Sequence, residues 1–242
     1  RSVSGAGDVN GDGLADVIVG ANGSSTGSGG GGYVIFGGAT GGDMTTLTNN
    51  GMGFKINPFS ASGERVGTVV SSLGDVNGDG LADVALSTDS DQSTSSVYVV
   101  YGRSTPSAVN LTTGNAIQAS DGFRIYGSTA NLIELSQVSS AGDVNGDGLS
   151  DMIVGSRNGT AFVVYGNSLG SNLSLNNATI AASNGFKLKY ETANTANSAI
   201  SVSSAGDLNG DGLGDLIIGD RGDGADGSYK IVFGGTQWIS NA

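Results

Sequence analysis

The stretch GDVNGDGLAD, residues 7–16, returns letter for letter at 74–83, then as GDVNGDGLSD at 142–151 and as GDLNGDGLGD at 206–215. The copies begin 67, 68 and 64 residues apart. A near-constant period of this size marks a repeat architecture, in which each copy is one supersecondary unit that buries its apolar face against its neighbours.

Within the first copy Asp8, Asn10 and Asp12 alternate, Gly13 follows and Asp16 closes the segment. Alternating side-chain oxygens around a tight turn converge on one point, and the glycine supplies the backbone freedom the turn needs. The carbonyl of Leu14 is expected to add a main-chain oxygen, and Asp16 can bind with both of its own. The equivalent positions are Asp75, Asn77, Asp79, Leu81 and Asp83 in the second copy and Asp143, Asn145, Asp147, Leu149 and Asp151 in the third. In the fourth they are Asp207, Asn209, Asp211, Leu213 and Asp215. An all-oxygen shell of roughly six or seven ligands is the preference of calcium rather than magnesium. Four Ca2+ sites are therefore expected, with affinities of the extracellular kind, ~10⁻⁴–10⁻³ M. The competing reading is four Asx/Gly turns with no metal, since Asn-Gly and Asp-Gly are ordinary hairpin turns. Four copies that each keep three Asp and an Asn within nine residues favour the metal, because the carboxylates otherwise repel.

The opening of the loop matches the EF-hand pattern, but the ending does not. An EF-hand closes with Glu at its twelfth position, whereas here Asp stands at the ninth. That Asp opens DVIVG, DVALS, DMIVG or DLIIG, short β-branched runs without helical period. The loop therefore joins strands.

Composition narrows the function classes. Twelve of the 22 acidic residues sit in the four loops and account for the net charge of −12. Such a chain lacks the basic face that nucleic acid demands. With no Cys and no His, disulfides, thiol chemistry, zinc sites and the commonest general base are all excluded. No apolar run approaches the ~18 residues of a membrane span, so none is expected. No secretory signal precedes Arg1, which a chain that starts inside a repeat can have lost by processing or cloning. The acidic, cysteine-free, Gly/Ser/Asn-rich composition points to an extracellular or cell-surface setting.

Around each loop the same segments recur. A small, polar-alternating strand leads in (SVSGAG, VVSSLG, QVSSAG, SVSSAG), and the apolar run comes after the loop. A variable connection then leads to GYVIFGG, VYVVYG, AFVVYG or YKIVFGG, and a further one to GFKI, GFRI or GFKL. The second and third strands read as continuous apolar runs, so both faces should be covered. The fourth carries Lys55, Arg124 or Lys187 between apolar residues, which suits an outer edge. Four-stranded antiparallel sheets stacked about an axis with one edge outward are propeller blades, so the expected fold class is an all-β β-propeller. A solenoid of sandwiched sheets is the alternative. The repeats divide as 1–56, 57–125, 126–188 and 189–242, the last lacking its outer strand.

The run V-S-x-x-G-D-x-N-G-D-G-x-x-D-x-x-V-G followed by [YF]-V-[IV]-[YF]-G resembles the FG-GAP repeat of integrin α-subunit propellers and their bacterial relatives. The likeness covers nearly the whole chain, although the "GAP" end reads GAN, LST, GSR and GDR, and the leading Phe-Gly survives only as Val66-Gly67. It implies that the cation loop joins the first two strands of each blade, that calcium is structural, and that a protein or glycan ligand binds the opposite face. Propellers of that family usually close with more blades than the four held here. A partial propeller is therefore expected, belonging to a longer parent chain or to a half-ring completed by a second copy as a homodimer.

Arg221-Gly222-Asp223 spells an adhesion tripeptide after the fourth apolar run, but a chance match in so Gly- and Asp-rich a chain is the preferred reading. The loop at 22–32 reads as a flexible linker rather than a phosphate cradle, since no P-loop Lys and no helix follow. Trp238 reads as a blade cap rather than a sugar platform. Glu64, Glu134 and Glu191 are not paired in a way that supports glycoside chemistry, so no catalytic residue and no enzyme is expected. The sequence thus points to an extracellular adhesion or recognition scaffold. A carbohydrate-binding lectin propeller is the first alternative, and an accessory or catalytic domain of a polysaccharide-active enzyme is the second.

Overall fold

The structure is a computed structural model that describes residues 2–23, 30–39, 46–47, 49–58, 65–89, 95–112, 116–127, 135–157, 159–166, 171–175, 180–189, 200–220 and 227–235. Among these residues every regular element is a strand. In chain order they are β1 (Ser2–Gly7), β2 (Asp16–Gly20), β3 (Gly32–Ile35), β4 (Gly53–Asn57), β5 (Arg65–Gly74) and β6 (Asp83–Asp89). Next come β7 (Ser96–Val100), β8 (Val109–Asn110), β9 (Gly122–Gly127), β10 (Leu135–Gly142), β11 (Asp151–Ser156) and β12 (Thr160–Val164). The last are β13 (Leu173–Leu175), β14 (Gly185–Lys189), β15 (Ile200–Gly206), β16 (Asp215–Asp220) and β17 (Ser228–Val232).

Four sheets result, in the orders β1-β2-β3-β4-β8, β5-β6-β7-β9-β13, β10-β11-β12-β14 and β15-β16-β17. They stack face to face in chain order, with β1 on β5, β5 on β10 and β10 on β15. One apolar core fills each gap. Ile18, Val34 and Phe54 meet Val70, Leu86 and Tyr98 in the first. Ala85, Val97 and Val99 meet Val138, Val154 and Phe162 in the second, and Ile153 and Val163 meet Leu216 and Ile218 in the third. The chain is an all-β partial propeller of antiparallel blades.

Each lead-in strand ends in a register shift, at Gly5/Gly7, Ser72/Gly74, Ser140/Gly142 and Ser204/Gly206. The skipped residues Ala6, Leu73 and Ala141 are fully buried. A bulge of this kind re-aims the chain, and here it turns each strand into its acidic loop.

Two expectations need correction. The second and third strands are covered on both faces only in the inner sheets, where β7, β11 and β12 are buried throughout. In the end sheets β2 alternates between buried and exposed positions and β17 is mostly exposed, because among the described residues one face of each has no neighbouring sheet. The strand carrying the basic residue is also not the edge of the first two sheets. A short parallel strand lies outside it, β8 on β4 and β13 on β9. Each added strand comes from the connection between the third and fourth strands of the following blade, so it clasps one blade to the next. Arg124 accordingly does not guard an edge. Its guanidinium lies 4.9 Å from the Tyr126 ring and 6.0 Å from the Tyr98 ring, and its Nε donates to Ser96 Oγ at 2.8 Å.

Candidate metal centre

The four acidic loops connect β1 to β2, β5 to β6, β10 to β11 and β15 to β16, so all lie at the same end of their sheets. Their local structure is dictated by side-chain oxygens capping the backbone. Asp8 Oδ1 accepts the N–H groups of Gly11 (2.7 Å) and Asp12 (3.1 Å), and its Oδ2 accepts that of Gly13 (2.8 Å). Asn10 Oδ1 accepts from Asp12 N–H, Asp12 Oδ1 from Leu14 N–H, and Asn10 Nδ2 donates to Asp12 Oδ2. These nested Asx turns need left-handed backbone at Gly11 (φ 78°) and Gly13 (φ 83°), where a side chain would be strained.

The same bonds recur around Asp75, Asn77, Asp79 and Leu81 in the second loop. They recur around Asp143, Asn145, Asp147 and Leu149 in the third. In the fourth they involve Asp207, Asn209, Asp211 and Leu213. The repeated residues therefore build one local geometry four times.

The ninth position has a further task. Asp16, Asp83, Asp151 and Asp215 are all buried. Asp83 Oδ2 accepts from Val76 N–H at 2.8 Å and its Oδ1 from Gly102 N–H at 2.8 Å. Asp16 holds Val9 and Gly37 in the same way, Asp151 holds Val144 and Gly166, and Asp215 holds Leu208 and Gly234. Each carboxylate thus ties its loop to the glycine just beyond the third strand. That glycine was not singled out from the sequence, although the recurrent [YF]-G that carries it was in view. A Cβ at Gly102 would lie 2.8 Å from the Ala82 carbonyl oxygen and 2.9 Å from that of Val9. Only hydrogen fits.

Neighbouring loops are joined edge to edge. The Asp8 carbonyl accepts Ala82 N–H at 2.9 Å, that of Asp75 accepts Ser150 N–H at 2.8 Å, and that of Asp143 accepts Gly214 N–H at 2.7 Å. The side chains of Leu81, Leu149 and Leu213 reach over Gly11, Gly78 and Gly146 of the preceding loop. This packing of the leucine side chains between loops was not expected from the sequence.

Electrostatically the loops are strained. Burial pushes the carboxyls of Asp83 and Asp151 up to about 7, against the opposing pull of their two backbone donors. The nearby charges of Asp79 and Asp75, and of Asp147 and Asp143, push the same way. Asp16 is raised from the usual carboxylate range, again chiefly by burial. Among the described residues no three carboxylates stand together as metal ligands do. The donor chemistry nevertheless fits a hard cation: Asp oxygens, an Asn amide oxygen and main-chain carbonyls, with no His or Cys ligand in the chain. A shell in these loops would draw on the Asn and main-chain oxygens as well as on the carboxylates.

Arg221-Gly222-Asp223, Glu64, Glu134, Glu191 and Trp238 lie outside the described residues, as does most of the loop at 22–32.

Comparison with known proteins gives two likenesses. Residues 1–36 and 66–100 match the FG-GAP repeat. The chain is also 30% identical over 155 residues to integrin alpha-4 of Xenopus laevis, a match covering 62% of this chain and 14% of that subunit. The aligned region is thus a small part of the relative's length.

Proposed function

We propose that this chain, two stretches of which match the FG-GAP repeat, is an integrin-like, calcium-binding propeller segment serving as an adhesion or recognition scaffold outside the cell. One observation carries the reading. Each loop buries one aspartate, and in the first three loops the charges of two further aspartates of the same loop act against its ionisation, which a counter-ion would relieve. Ca2+ at each loop would supply two positive charges and accept several oxygen ligands.

The residues of this chain then do the rest. Asp8, Asn10 and Asp12 hold the turn, while Asp16 holds the loop against Gly37 at the end of β3. The loop-to-loop bonds and the leucines transmit that order from blade to blade. Because β1 and β2 are antiparallel, as are β2 and β3, the connections between second and third strands emerge at the sheet ends opposite the acidic loops. Those variable connections are where a protein or glycan ligand would be read, on a frame made rigid from the other side. Affinities of ~10⁻⁴–10⁻³ M suit the calcium-rich exterior.

The test is thermal unfolding of the full chain with calcium, with magnesium and with excess chelator. Calcium is expected to raise the midpoint and magnesium to do so poorly. Equal midpoints in all three would refute the reading.

A further inference from the structure

The first acidic loop is gripped by the second, and a buried aspartate organises the grip. The Asp8 carbonyl accepts the N–H of Ala82 at 2.9 Å, and the Val9 carbonyl accepts that of Arg103 at 2.8 Å. Ala82 precedes Asp83 and Arg103 follows Gly102 in the chain. Asp83 Oδ1 joins the two donor segments by accepting Gly102 N–H at 2.8 Å. Val9 is fixed from its other side as well, its N–H donating to Asp16 Oδ2 at 2.7 Å. The buried carboxylates of the two loops are thus connected through the backbone around Val9.

The arrangement recurs along the stack. Between the third and fourth loops the Asp143 carbonyl accepts Gly214 N–H at 2.7 Å and that of Val144 accepts Gly235 N–H at 2.8 Å. Asp215 Oδ1 holds Gly234, and Asp151 Oδ2 holds Val144 from the other side. Between the second and third loops the Asp75 carbonyl accepts Ser150 N–H, and Asp151 Oδ1 holds Gly166. A Cβ on Gly166 would stand 3.0 Å from the carbonyl oxygen of Val76, whose N–H is held by Asp83 Oδ2. One relay of backbone therefore runs through Asp16, Asp83, Asp151 and Asp215.

We infer that the four loops take up calcium cooperatively, the filling of one raising the affinity of its neighbours; this rests on the calcium reading above. An ion in the second loop fixes Asp83, and with it the segments of Ala82 and Gly102 that grip Asp8 and Val9. Asp8, the group that caps three backbone N–H groups of the first loop, is then already in place for the next ion. An ion that meets an ordered loop forfeits less conformational entropy than one that must order it. Leu81, lying over Gly11, adds a side-chain contact to the same seam. Charge does not oppose the coupling. Three aspartates per loop against the two charges of the ion leave a filled loop formally at −1, so it does not repel the next cation. Coupling between neighbours is the expected behaviour of stacked repeats, and it acts in both directions.

Calorimetric titration of the chelator-stripped full chain with Ca2+, below its melting temperature in chelator, is expected to give a Hill coefficient above one. Asp79→Ala removes an exposed ligand of the second loop and none of the atoms that grip the first. It is expected to leave three sites that bind about fivefold or more weakly than in the unaltered chain. In the same variant the N–H groups of Gly11 and Gly13, in a loop whose own sequence is intact, are expected to exchange faster at calcium levels that protect them in the unaltered chain. A coefficient of one or less, or three remaining sites of unchanged affinity, would overturn the cooperativity and leave the calcium reading standing. Absence of any binding heat would overturn both.

Discussion

The carboxylate of Asp83 accepts the N–H of Gly102 across 19 residues of chain at 2.8 Å, and this bond fastens the acidic loop to the end of the third strand. Because Asp83 also accepts from Val76, it organises two backbone segments at once from a fully buried position. Replacing it by Ala orphans both donors, at about 1–3 kcal/mol each. Asp83→Ala is expected to lower stability by about 2 kcal/mol or more even in chelator. Asp79→Ala, whose side chain is exposed, should cost far less there and lower stability mainly when calcium is present. Urea unfolding of both variants with and without calcium measures the difference.

Gly102→Ala probes the other end of that bond. The added methyl meets the carbonyl oxygens of Ala82 and Val9 and the side chain of Leu81, and the two carbonyls belong to backbone that cannot swing away. Overpacking of this kind costs about 1–3 kcal/mol. The expected result is a lowered unfolding midpoint together with weaker calcium binding, read by melting and calorimetric titration.

The raised carboxyls set the pH dependence. Asp83 and Asp151 titrate near 7 when folded, against 3.8 for the ordinary side chain. Between those values the folded state holds more protons than the unfolded, so in chelator these groups make stability fall as pH rises from about 4 through about 7. With calcium the sign reverses, because ligation requires the ionised form. Melting at pH 5 and pH 8, each with chelator and with calcium, is expected to show the crossing slopes. Asp83→Asn/Asp151→Asn should flatten the chelator slope.

Leu175 lies in a connection yet is fully buried, because β13 lays it into the core between the second and third sheets. Leu175→Ala is expected to cost about 2–5 kcal/mol, the range of a core leucine rather than of a loop residue. A loss below ~0.5 kcal/mol in urea unfolding would show that the clasp is not formed in solution.

Much of the architecture was legible because the same residues are spelled out four times. Asp-x-Asn-x-Asp-Gly forces a turn, and runs such as DMIVG can only be strands, so loop and neighbouring strands were readable together. The parallel strands β8 and β13 were not. Val109-Asn110 and Leu173-Ser174-Leu175 are too short to show a period, and their partners sit about 50 residues earlier on another blade. The reach of Asp83 to Gly102 was hidden for a similar reason: a hydrogen bond between distant segments leaves no local pattern. Nor did composition reveal the exposed faces of the end sheets, since Ile231 and Val163 look alike until one has a neighbour and the other does not.

The central claim is that the buried aspartates share a doubly charged cation, and calorimetric titration of the chelator-stripped full chain with Ca2+ tests it most directly. The expected result is about four sites of ~10⁻⁴–10⁻³ M, with about 1.4 kcal/mol of stabilisation per site at a free concentration of ~10 Kd. Absence of binding heat together with a melting midpoint unmoved by saturating Ca2+ would contradict it.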